Sequence, residues 1–552
     1  MQRGCDARLR KTYLKSMSAK RLDLLVIGGG ITGAGIAWDA SLRGIRVGLV
    51  EMRDFASGTS SRSTKLIHGG LRYLKQGEVK LVMEVGRERE LLHQKLPHLV
   101  IPAPMILPIY RHGSLGYLST SVGLYVYDLL AGVKRHERRK MLSAKETLRR
   151  EPNLHDDGLK GSGYYYEYRT DDARLTTELI KTAALNGATI CNYAQVTEFL
   201  YDGYGYVNGV IVTDTLTGDS ERIYATTIVN AAGPWVDRVR ETNRSLQGKR
   251  LFITKGIHLV FPYDKLPVQQ AAYFDASDGR MIFVIPRDQI TYVGTTDTAY
   301  EASLEEPRAT IADRDYLLDA VNTMFPDFQL GASDIVSSWT GLRPLIYEEG
   351  KGPSELSRKD EIILADNGLI TIAGGKLTGF RKMAEKTVDL VAARLQKIED
   401  EKYPPCTTAQ APITSGPPQR AQVKRWRQQI LSEGSRQGIS KTDCEKLFSL
   451  FGDHTNRIYQ LYKENAERDP EIRLLKAQLQ YCITHEMTVT AADFLVRRTG
   501  MVYFDRPQAE RITHRVVRLM GELLGWDARE KNRQLKQMER ELALVTQFVQ
   551  GD

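Results

Sequence analysis

Cysteine is scarce and scattered in this sequence: Cys5, Cys191, Cys406, Cys444 and Cys482 are the five among 552 residues, and none are spaced as C-x-x-C. That argues against a disulfide framework and a structural zinc site and suits a reducing cytoplasm, so no metal is expected. Long apolar runs are lacking too. The least charged stretch, GSLGYLSTSVGLYVYDLLAGV between His112 and Lys134, approaches the length of a membrane span. Asp128 and the Ser, Thr and Gly around it would be costly to bury in hydrocarbon. A helix packed on the protein or lying in the membrane interface carries no such cost. The first twenty residues are basic but have no apolar core of a secretory signal, so export is not expected. No internal repeat is visible. Basic residues are dispersed among acids without interleaved aromatics, which argues against nucleic acid as a partner.

The remaining composition is that of an ordinary globular protein, with 42% apolar and 26% charged residues. Its length exceeds what one core supports, so two or three units are expected. The charge balance, 77 Lys and Arg against 68 Asp and Glu, gives +9. This is a mild bias toward anionic substrates, membrane headgroups or nucleic acid, and it selects none of them.

LDLLVIGGG is a short apolar run ending in glycines; ITGAGIAWDASLRG has helical spacing and IRVGLVE reads as a second strand. Further strand-like runs occur at RIYATTIVNAAG, IHLVFP, MIFVIPRD, TYVGTTD and GLITIAGG, with helical patterns between several of them, so an α/β architecture is predicted. After Lys402, YPPCTTAQAPITSGPPQ reads as a linker, and from about Gln419 onward the periodicity is helical.

Gly28, Gly30 and Gly33 form G-x-G-x-x-G between the first strand and the helix. The first glycine permits a tight turn, the second admits a pyrophosphate to the backbone and the third allows close helix packing. Glu51, at the end of the second strand and 23 positions beyond Gly28, is placed to accept hydrogen bonds from a ribose. Dinucleotide binding follows from these elements together, whereas FAD and NAD are not distinguished by them.

Immediately after Glu51, DFASGTSSRSTKLIHGGLRYL resembles the FAD-dependent glycerol-3-phosphate dehydrogenases and the related α-glycerophosphate oxidases. YYYEYRTDDARLT, IVNAAGPWVD, TKGIHLVFP, IPRDQITYVGTTDT, GLRPLI, SRKDEI and IAGGKLTGFRKMAE follow in the same order. The resemblance is dense from about Asp23 to Lys386 and looser through the C-terminal region, where it includes DFLVRRTG. It implies a Rossmann-like FAD-binding domain of the glutathione-reductase-like, D-amino-acid-oxidase superfamily type, with an antiparallel-sheet substrate domain and a helical C-terminal domain. The expected boundaries are 21–98, 170–250 and 333–400 for the FAD domain, and 99–169 and 251–332 for the substrate domain. A linker at 401–418 and the helical domain at 419–552 complete the chain.

The implied reaction is oxidation of sn-glycerol 3-phosphate to dihydroxyacetone phosphate, with FAD reduced and then reoxidised by quinone. For the cofactor, Ser60, Ser61 and Thr64 are placed to reach the pyrophosphate and flavin. Ala231 and Gly233 offer close backbone approach, and Gly375, Lys376, Leu377 and Thr378 lie at a strand-to-helix junction suited to negative charge on the flavin. For the substrate, Arg343 and Arg358 are planar forks for a phosphate dianion, with Lys376 beside them. Arg72 and Tyr73 resemble pocket residues of the family. His68, in LIHGGLRYL, is the leading candidate for the base that takes the hydroxyl proton, and His258, in TKGIHLVF, is the alternative.

The stretch Tyr117–Val133, followed by the basic KRHERRK, fits an interfacial anchor as well as a packed helix with a solvated basic end. The expected partners are therefore glycerol 3-phosphate, quinone and the membrane surface, the last peripherally at the inner face. No nucleic acid is expected, and a homodimer is admitted. Two other functions compete. One is an oxidase passing electrons to oxygen, disfavoured by the lack of a long insertion between GLRPL and GGKLTG. The other is a flavin-dependent nucleic-acid-modifying protein, suggested only by the pI near 9.

Overall fold

The computed structural model describes residues 4–68, 79–111, 113, 116–131, 137–347, 360–418 and 422–550. The short apolar runs become strands buried on both faces, as parallel strands covered by helices must be. β1 (Leu22–Ile27), β2 (Val47–Val50), β7 (Thr189–Cys191), β10 (Ser220–Asn230) and β18 (Ile370–Gly374) pair in parallel. The order is β17-β18-β10-β1-β2-β7, where β17 (Asp360–Leu364) is an antiparallel edge. A hairpin of β8 (Ala194–Tyr201) and β9 (Val207–Asp214) extends the outer half of β10. The helix Ile31–Leu42 packs between the helices Asp172–Leu185 and Phe380–Glu399.

A second sheet holds β3 (Leu66–Ile67), β4 (Ile101–Tyr110), β5 (Lys140–Ser143), β6 (Leu159–Arg169), β11 (Leu251–Pro262), β12 (Ala271–Asp275), β13 (Met281–Arg287), β14 (Ile290–Gly294), β15 (Thr298–Ala299) and β16 (Ser337–Ile346). Its order is β15-β11-β14-β13-β12-β4-β6-β3, with β16 beside β11 and β5 beside β6. All its pairs are antiparallel except β12 with β4. Two segments cross the expected boundaries. β3, inside 21–98, pairs with β6, and β16, inside 333–400, pairs along its whole length with β11. Ladder partners distant in sequence decide this, and local propensity does not report them. The consequence is that Arg343 and Trp339 stand on the second sheet.

The C-terminal region is helical, from Val423–Arg436 through Ala528–Thr546. It packs on the second sheet, where Ser337 Oγ donates to Tyr503 O at 2.6 Å and Ser338 Oγ to Val545 O at 3.0 Å. Residues 401–418 contain no helix or strand, yet Thr408, Ile413 and Ser415 are buried, so this segment is packed against the body. Among the described residues no helix is long and apolar enough to cross a membrane.

Candidate active site

The glycine loop closes β1 and opens the helix Ile31–Leu42. Gly28 has φ 114°, and a Cβ on it would lie 2.6 Å from the carbonyl oxygen of Ala231 at the end of β10. A Cβ on Gly33 would lie 1.9 Å from Gly28 O. Both contacts require hydrogen as the side chain, and together they leave a backbone-walled groove at the helix N-terminus. Ser60, on the short turn Thr59–Ser61, accepts the free amide of Ile31 on its Oγ at 2.9 Å. Glu51 closes the same groove: Oε2 accepts from Gly29 N at 2.6 Å and Oε1 from Arg53 N at 3.0 Å. Burial raises its pKa, and those two amides pull the other way.

One cavity of about 450 Å³ runs from this groove to the second sheet. Its walls include Gly28, Gly30, Glu51, Ser60, Thr64 and His68. Ala231, Gly233, His258 and Arg343 also face it, together with the 375–378 turn that carries Lys376. Gly33 is a packing residue and stands outside the wall. Ser61 departs from expectation: it is buried away from the cavity, and its carbonyl accepts from Lys65 Nζ at 2.8 Å. Arg72, Tyr73 and Arg358 lie outside the described residues.

At the second-sheet end, His258 on β11 is 1% exposed and stacked on Trp339, with ring centroids 4.6 Å apart. Its Nε2 lies 3.1 Å from Thr64 Oγ1, and its Nδ1 has no hydrogen-bond partner among the described residues. Burial, reinforced by the charges of Arg343 and Lys65, holds its pKa well below the ordinary histidine value, so the ring is neutral. Arg343 is held by Asp297 Oδ1 at 3.2 Å, Thr296 O at 3.1 Å and Thr295 Oγ1 at 2.9 Å. His68 reaches the same wall edge-on to Phe283, and its carbonyl accepts from Thr378 Oγ1 at 3.2 Å.

Some of the wall had no advance reading. Tyr165, Tyr273 and Phe283 form an aromatic side, and Arg62, Trp235 and Glu305 line the other end. The alternation in YYYEYR was the available signal for Tyr165, since every second residue of a strand faces one way. Glu305 gave none, because its role depends on a loop of the second sheet meeting Trp235 and Arg238 of the first.

A family model described as FAD dependent oxidoreductase matches residues 23–381. The chain belongs to the FAD-dependent oxidoreductases. In this family context the groove at Gly28, the Ser60 hydroxyl and the Glu51 carboxylate fit the dinucleotide part of FAD, and the tight backbone contact of Gly28 with Ala231 holds the two strand ends together beneath it. A second model, the C-terminal domain of alpha-glycerophosphate oxidase, matches residues 406–531. Curated relatives of this oxidoreductase include the aerobic glycerol-3-phosphate dehydrogenases of Bacillus subtilis, 51% identical over 96% of both chains, and Staphylococcus haemolyticus, 47% identical over 96% of both. Among solved structures, the glycerol-3-phosphate dehydrogenase from Bacillus halodurans complexed with FAD superposes with a TM-score of 0.85 at 44% identity, covering 98% of each chain.

Proposed function

We propose that this FAD-dependent oxidoreductase converts sn-glycerol 3-phosphate to dihydroxyacetone phosphate and passes the electrons to a membrane quinone. The observation that carries the substrate is the fixed guanidinium of Arg343 sharing one cavity with the neutral imidazole of His258. The names of the curated relatives support the same reading. FAD, when bound, supplies the acceptor for the two electrons, which leave C2 as a hydride.

The chain's own residues supply the rest. Arg343 binds the phosphate through charge-assisted hydrogen bonds, with Lys376 as a further cationic group, and the family resemblance adds Arg358, Arg72 and Tyr73 as substrate contacts. His258, whose neutral ring keeps a nitrogen able to take a proton, accepts the C2 hydroxyl proton in this proposal, with His68 as the other candidate. Positive charge at Arg343 and Lys65 disfavours the resulting imidazolium, and a bound phosphate dianion offsets that repulsion. Ser60, Glu51, Gly28, Gly30 and Ala231 hold the cofactor's dinucleotide part, and Gly233, Gly375, Leu377 and Thr378 serve the flavin end.

Support for a membrane surface comes from the helix Tyr117–Ala131. Leu118 is 80% exposed, Val122 63% and Tyr125 58%, spaced four and three residues apart on one face. The guanidinium of Arg139 lies 5.5 Å from the Tyr125 ring. An apolar face beside basic groups suits peripheral docking at an anionic inner leaflet. Anaerobic mixing with glycerol 3-phosphate, glycerol and succinate tests the substrate. Only the first is expected to bleach the flavin, and bleaching by glycerol alone would overturn the phosphate assignment. Peroxide formation at the full turnover rate would replace quinone with oxygen.

A further inference from the structure

The segment DFLVRRTG, near the end of the chain, is outside the cavity and outside the mechanism just given. Asp493–Arg498 form a single π-helical turn whose six residues are all buried. Two of its side chains reach one carboxylate 443 and 444 residues earlier in the sequence. Arg498 grips Asp54 with both arms, Nη1 to Oδ2 and Nη2 to Oδ1, each at 2.7 Å. Arg497 Nε reaches Oδ2 at 2.6 Å. Asn192 adds a bond to Oδ1 at 3.1 Å, and Asp54 is fully buried.

Asp54 stands three residues after Glu51, in a turn lying directly against the glycine loop. Ala56, in the left-handed region at φ 60°, donates its amide to Gly29 O at 3.0 Å. Phe55 is fully buried beneath Gly29, where a Cβ would come within 2.8 Å of its ring. The same turn is tied from the other side: Tyr193 N donates to Arg53 O at 2.8 Å, and Tyr193 OH donates to Asp493 Oδ1 at 2.7 Å. Two further acidic residues adjoin the clamp. Arg497 Nη2 reaches Asp493 at 2.8 Å, and Arg498 Nη2 donates to Glu486 O at 2.8 Å with the Glu486 carboxylate 3.6 Å from Nε.

We infer that Arg497 and Arg498 are positioning residues for the cofactor: through Asp54 they fix the turn that backs Gly29 and Glu51, so the C-terminal helices set how tightly FAD is held. The inference rests on the family reading that the chain binds FAD. A bidentate fork on a buried carboxylate is the geometry lysine cannot reproduce, which makes Arg498→Lys a charge-conserving probe.

The test uses holoenzyme of the parent, R498K, R497K, D54N and the double variant D54N/R498K. Released-flavin fluorescence on dilution gives the FAD dissociation constant, visible circular dichroism reports the bound flavin, and a urea midpoint reports stability. Lys255→Met is the control, since Lys255 is buried on Asp313 at 2.5 Å, a pair that shares no partner with Asp54, Arg497 or Arg498. The dissociation constant is expected to rise on the order of 10- to 100-fold in R498K and D54N. The double variant should go no further than the larger single change, because both break one contact. FAD affinity within about threefold of the parent in D54N, R497K and R498K would overturn the inference. So would a K255M variant that releases FAD as readily at an equal loss of urea midpoint. A parent that holds no FAD would instead count against the family reading.

Discussion

Replacing Gly294 by alanine should slow substrate oxidation without removing any functional group. Gly294 faces His258 across the β11–β14 ladder, and a Cβ there would lie 2.1 Å from His258 Cδ2 and 2.6 Å from Nε2. Ordinary contact begins near 3.4 Å, so the ring must retreat by about 3.4 − 2.1 = 1.3 Å. Trp339 blocks one side of the imidazole by stacking, and the bond to Thr64 Oγ1 fixes its tilt, so the shift must disturb at least one of them. A misplacement of about 1 Å at a reacting group costs on the order of 100-fold in rate, or roughly 2.7 kcal/mol of barrier. Anaerobic stopped-flow reduction of the flavin by glycerol 3-phosphate separates the reduction rate constant from substrate binding. The rate constant should fall by about two orders of magnitude, and the dissociation constant should stay near the parent's because Arg343 is untouched. His258→Asn should lose at least as much, about 10²- to 10⁴-fold. A reduction rate within threefold of the parent in a folded G294A enzyme would refute the role given to His258.

Arg343→Lys should raise the dissociation constant of glycerol 3-phosphate by about 10- to 100-fold, equivalent to about 1.5–3 kcal/mol of lost charge-assisted hydrogen bonding, as read by anaerobic titration. Lys65→Met should lower the urea midpoint by the equivalent of about 3–5 kcal/mol, since it leaves the fully buried Asp172 without the ammonium now 2.6 Å away. Stability should also fall with acid. Burial pushes the pKa values of His98 and His454 down to about 3, so the unfolded chain binds protons below pH 6.5 that the native state refuses. Their contribution is complete above pH 6.5 and is lost toward pH 3 at about 1.4 kcal/mol per pH unit for each histidine. Equal urea midpoints at pH 7.5 and 5.5 would contradict this, and His98→Phe, in its nest of Trp426 and Phe448, should flatten the slope. Leu118→Glu should abolish co-sedimentation with anionic liposomes at low salt, while flavin reduction by glycerol 3-phosphate stays intact.

The dinucleotide groove was legible because its signature is local: a buried strand, glycines at the turn and an acid closing the next strand lie within Leu22–Glu51, whereas Ser60 and Ala231 join it from outside that span. The second-sheet end of the cavity was legible only through resemblance. Arg343 and His258 are brought together by the β11–β16 ladder, whose register no local pattern specifies. Lys65 and Asp172 were both inside quoted motifs, but their pairing across 107 residues was not readable from either. The Asp54 clamp is the extreme case, because a charged residue in a loop reads as solvated until the partner that buries it is known.

The spacing of that clamp orders events during synthesis. Asp54 leaves the ribosome 444 residues ahead of Arg498, which at about 5–20 residues per second is a wait of roughly 20–90 s. For that interval the Asp54 carboxylate lacks Arg497 and Arg498, and the sheet strands β10 and β18 are themselves completed only along the way. If the clamp sets FAD affinity as inferred above, stable capture of the cofactor belongs to the completed chain and not to the nascent N-terminal half.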